Sequence, residues 1–101
     1  MAETLINTNQ IIGGGRLPLS FSNVSASSWT SDNTYADYGY KCDLSCSGVT
    51  SNMFAQVVFA PAQADSGNYA TVCTTGTNVV TIYSKVNTSI TIPTIMVTEV
   101  A

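Results

Sequence analysis

Trp29 to Lys41 reads WTSDNTYADYGYK, and it holds the chain's only tryptophan, three of its five tyrosines and two of its six acids. Two chemistries would use such a stretch. Rings beside carboxylates and amides grip sugars, and a pair of carboxylates can hydrolyse a glycosidic bond. Asp32 and Asp37 are the pair on offer. Asp32-Asn33 sits in a Ser-rich run, where such residues ordinarily serve as turn and cap residues, so the expectation is a protein that is not an enzyme. The chain has no histidine, which removes Ser-His-Asp, Cys-His and imidazole acid–base catalysis within one chain. Asp32, Asn33 and Asp37 lack the ligand spacing of an EF-hand loop and its backing Glu. No metal or other cofactor is expected. The ligand-binding candidates are therefore Trp29, Asp32, Tyr35 and Asp37, with Trp29 foremost because its neighbours are polar and loop-forming. The competing use of the rings is structural. Tyr38 and Tyr40 are two apart, share one strand face, and supply the bulk that a small core needs.

The background of these residues narrows the class. Among the 101 residues only 9% are charged, against about 25% in an average soluble domain. Ser, Thr and Asn together make up about a third of the chain. Polarity thus comes from hydroxyls and amides, which solubilise poorly. Such a surface suits a domain that is covered in an assembly. Net charge is −3 with three basic residues, so nucleic-acid binding, which needs clustered Lys and Arg, is excluded. No apolar run approaches the ~20 residues of a membrane span. The opening MAETLINTNQ lacks the basic and apolar regions of a secretory signal, so assembly in the host cytoplasm is expected. The three cysteines, Cys42, Cys46 and Cys73, do not make a closed disulfide framework. Cys42 and Cys46 would stand about 13 Å apart along a strand, too far to bridge, and act as small buried hydrophobes.

The rings must be held by strands, because no segment shows a helical period. Residues 1–15 are expected to be an extended arm that ends in the hinge Gly13-Gly14-Gly15. Leu5, Ile6, Ile11 and Ile12 are its candidate docking residues. Residues 16–101 form the body. Strands are expected at about 17–25, 38–45, 54–60, 69–74, 79–85 and 89–100, with a loop across residues 25–33 and a helical turn near 62–66. Short strands with frequent turns predict an all-β fold, a small antiparallel, jelly-roll-like β-sandwich with an extended N-terminal arm. The last strand, SITIPTIMVTEV, carries a proline, which points to an edge or a bend. It also places Ile90, Ile92 and Met96 on one face and Ile95 and Val97 on the other after the proline. A strand apolar on both faces wants cover on both sides, so Ile90, Ile92, Ile95 and Val97 are the candidate oligomer interface.

The blocks WTSDNTYADYGYKCDL, GVTSNMFAQVVFAPAQADSGNYATV, VVTIYSK and SITIPTIMV resemble the C-terminal domain of tail-fibre and related virion proteins of phages and prophages of Gram-positive gut bacteria. The resemblance spans roughly Trp29 to Val97. It implies a compact β-sandwich at the end of a virion appendage, usually trimeric, with other virion proteins as partners and host cell-surface polysaccharide as a further one. It defines no catalytic residue. A long shaft usually precedes such domains, whereas here only the short arm does, which fits a head-fibre or capsid decoration protein as well as a fibre tip. The function expected is thus a non-enzymatic virion structural protein, located in the virion, with a carbohydrate-binding module as the alternative.

Overall fold

The computed structural model describes residues 18–99. Leu5, Ile6, Ile11, Ile12 and the three-glycine hinge lie outside the described residues. Seven strands and one short helix follow in order: β1 (Leu19–Ala26), β2 (Trp29–Tyr35), β3 (Tyr38–Ser45), β4 (Met53–Val58), α1 (Pro61–Ser66), β5 (Tyr69–Gly76), β6 (Val79–Ser84) and β7 (Ile90–Glu99). They form two antiparallel sheets, one of three strands ordered β1-β7-β4 and one of four ordered β2-β3-β6-β5. The architecture is a small all-β sandwich.

Period-two alternation builds its interior. Cys42 and Leu44 of β3 and Val80 and Ile82 of β6 point inward from the larger sheet, and Met53, Ala55, Ile92, Ile95 and Val97 meet them from the smaller one. Each fully buried aliphatic side chain is worth about 1.5–3 kcal/mol relative to exposure. β6 is buried on both faces, because Thr81 and Tyr83 on its outer side are covered too. All three cysteines are free thiols, with Cys42 and Cys46 in the core.

The loop expected before residue 33 is instead strand β2. Its residues are mostly polar, yet β3 offers a complete partner, and Trp29, Thr30 and Ser31 pair in register with Cys42, Lys41 and Tyr40. Edge position tolerates its polar side chains, so pairing overrides composition. Asn78 locks the β5–β6 turn onto the loop after β3. It sits at φ 59°, a left-handed conformation that Asn tolerates better than most residues. Its side-chain oxygen accepts from the Gly48 N–H at 2.9 Å, its carbonyl accepts from the Cys46 N–H at 2.9 Å, and its own N–H donates to the Val49 carbonyl at 2.7 Å.

The last strand requires a correction. β7 is the central strand of its sheet, not an edge. Pro93 is tolerated there because neither ladder needs its missing N–H. β4 ends at the Val58–Thr94 pair. The β1 ladder lapses opposite Pro93, between the Ser22–Thr94 and Val24–Ile92 pairs. At that lapse Asn23 stands at φ 53°. Both strands change phase together at this point: the inward residues run Leu19, Phe21, then Val24, Ala26 on β1, and Ile90, Ile92, then Ile95, Val97 on β7. The strand that looked apolar on two faces is apolar on one, with a half-step in the middle. Ile92, Ile95 and Val97 are each 0% exposed, and Ile90 packs half-buried on the same cluster. Ile92, Ile95 and Val97 take their cover from within the chain, so these three are not open to a second subunit as expected.

Candidate functional site

The aromatic stretch is spent largely on the fold. Trp29 opens β2 and packs against the core cluster. Its indole N–H donates to the Thr88 carbonyl at 2.9 Å, and its ring lies 6.3 Å from that of Tyr69. Tyr69 in turn stacks on Phe59, with centroids 5.0 Å apart and planes at 28°. These three rings close one end of the sandwich. Tyr35, at the other end of β2, meets Tyr83 edge-on with centroids 4.8 Å apart, and the Tyr83 hydroxyl lies 3.2 Å from that of Thr74. A seven-residue strand puts Trp29 and Tyr35 about 20 Å apart, so they do not serve one sugar ring. Asp32 turns both carboxylate oxygens to Thr34, one accepting from its N–H at 2.9 Å and the other from its hydroxyl at 3.1 Å. This is the turn-forming habit of Asp next to Asn. Asp37 lies exposed in the turn between β2 and β3. The four ligand candidates are thus dispersed along one hairpin. No group of three or more His, Cys, Asp or Glu side chains that could hold a metal ion occurs among the described residues.

Charge is divided unevenly between the sheets. Asp32, Lys41 and Asp43 belong to the four-stranded sheet, and Asp37 and Lys85 to its loops. Asp43 accepts the Thr81 hydroxyl at 2.6 Å on the sheet's outer side, and the Lys85 ammonium lies 6.0 Å from the Tyr38 ring centre. The three-stranded sheet has one charged residue, Glu99, the last of β7. Its outer face carries Ser20 and Ser22 from β1, Phe54, Gln56 and Val58 from β4, and Thr94, Met96 and Thr98 from β7. Phe54 is 62% exposed, Val58 44% and Met96 39%. Three large exposed hydrophobic side chains thus share one uncharged sheet face, the kind of surface that marks an interaction site when it is contiguous.

This face continues around β4 into a cleft. The edge strands β4 and β5 come together without pairing. At one end their seam is closed by side chains: the Thr75 hydroxyl donates to the Met53 carbonyl at 2.8 Å, and the Cys73 thiol to the Ala55 carbonyl at 3.3 Å. Beyond Ala55 the seam opens into a cavity of about 690 Å3 whose walls include Val57, Phe59, Ala64, Tyr69 and Val72. None of its lining side chains is charged. Burial pushes the Tyr69 phenol and the Cys73 thiol above their ordinary pKa values, so both stay neutral donors near neutral pH. Val72 is 48% exposed at the rim. The exposed large hydrophobics Phe54, Val58, Val72 and Met96 therefore all lie on or beside β4. Sequence reading places a strongly β-forming strand here but assigns it no role. The available signal is negative: MFAQVV contains no charge, proline or glycine to guard an edge.

No family model matches the chain, and no curated protein or solved structure matches it.

Proposed function

We propose that this chain is a non-enzymatic structural protein of a phage virion, one that works by being packed against other subunits in an appendage or on a capsid. One observation carries the reading: the exposed large hydrophobic side chains gather on a single charge-free surface around β4. The aromatic stretch, the other candidate contact surface, is engaged within the fold through Trp29 and Tyr35. The virion assignment draws on the sequence blocks between Trp29 and Val97, which resemble virion appendage domains, and on the low charge, which fits a permanently covered surface. An antibody raised against the chain is expected to decorate phage particles released by the bacterium that encodes it, as seen by electron microscopy. Particles that stay unlabelled, with the chain found only in the soluble fraction, would overturn the assignment.

A further inference from the structure

We draw no further inference here: the strongest candidate, the apolar cleft between β4 and β5 with the exposed Phe54, Val58 and Met96 beside it, carries none because nothing in the structure shows what covers it.

Discussion

Ile95→Ala is expected to lower the stability of the folded chain by about 3–4 kcal/mol, the upper-middle range for removing a buried aliphatic side chain. Ile95 is 0% exposed, on the central strand of its sheet, just after the phase change at Pro93. Rigid β-strands on both sides limit how far the site can collapse, so most of the lost volume remains as a cavity. A domain of this size has a total stability on the order of 5–15 kcal/mol, and the loss would move a urea midpoint by about 1–4 M at the usual slope. The same substitution should not change the number of associated copies at a concentration where the variant stays folded. A stable but dissociated variant would mean that Ile95 serves an interface after all.

Trp29→Ala is expected to cost about 3 kcal/mol, in the range for aromatic truncation. The loss combines apolar contact with the core and with the Tyr69 ring and the hydrogen bond to the Thr88 carbonyl. Trp29→Phe separates the two. It keeps a ring in place and gives up the N–H, for a cost of about 1 kcal/mol plus some packing. Thermal melts should show the difference clearly, since 1 kcal/mol shifts the midpoint of a 60–100-residue domain by about 4–8 °C. If Trp29→Ala melts like the unmodified chain and instead loses affinity for a cell-wall glycan, the ring is a binding residue and its internal contacts are incidental.

Alternation and turn chemistry made the all-β sandwich legible in the sequence. Tyr40, Cys42 and Leu44, and Val80 with Ile82, alternate without interruption, and strands β3 and β6 stand where that pattern places them. The brief helix after β4 follows from Pro61, a natural first-turn residue, and Gly67, which ends it at φ 73°. What was hidden is what a linear pattern cannot carry. A phase change in one strand looks the same as two apolar faces, and the neighbouring strand that changes phase with it is 70 residues away in sequence, from Val24 to Thr94. Likewise β2 pairs because β3 is beside it, although its own residues resemble a loop. The candidate site was read only in part. WTSDNTYADYGYK drew attention for its chemistry, but Trp29 packs on the core and Tyr35 lies edge-on to Tyr83 on the outer side of its sheet. The surface around β4 stayed invisible because Phe54, Val58 and Met96 come together on one face only when β4 and β7 pair.

Sedimentation equilibrium of the unmodified full chain, from sub-micromolar to the highest soluble concentration, bears most directly on the claim that this domain works by association through a charge-free surface. The account predicts a mass that rises with concentration to that of more than one chain and stays there at high salt, because the contact is apolar and salt screens only charges. A mass equal to one chain at every concentration would contradict it.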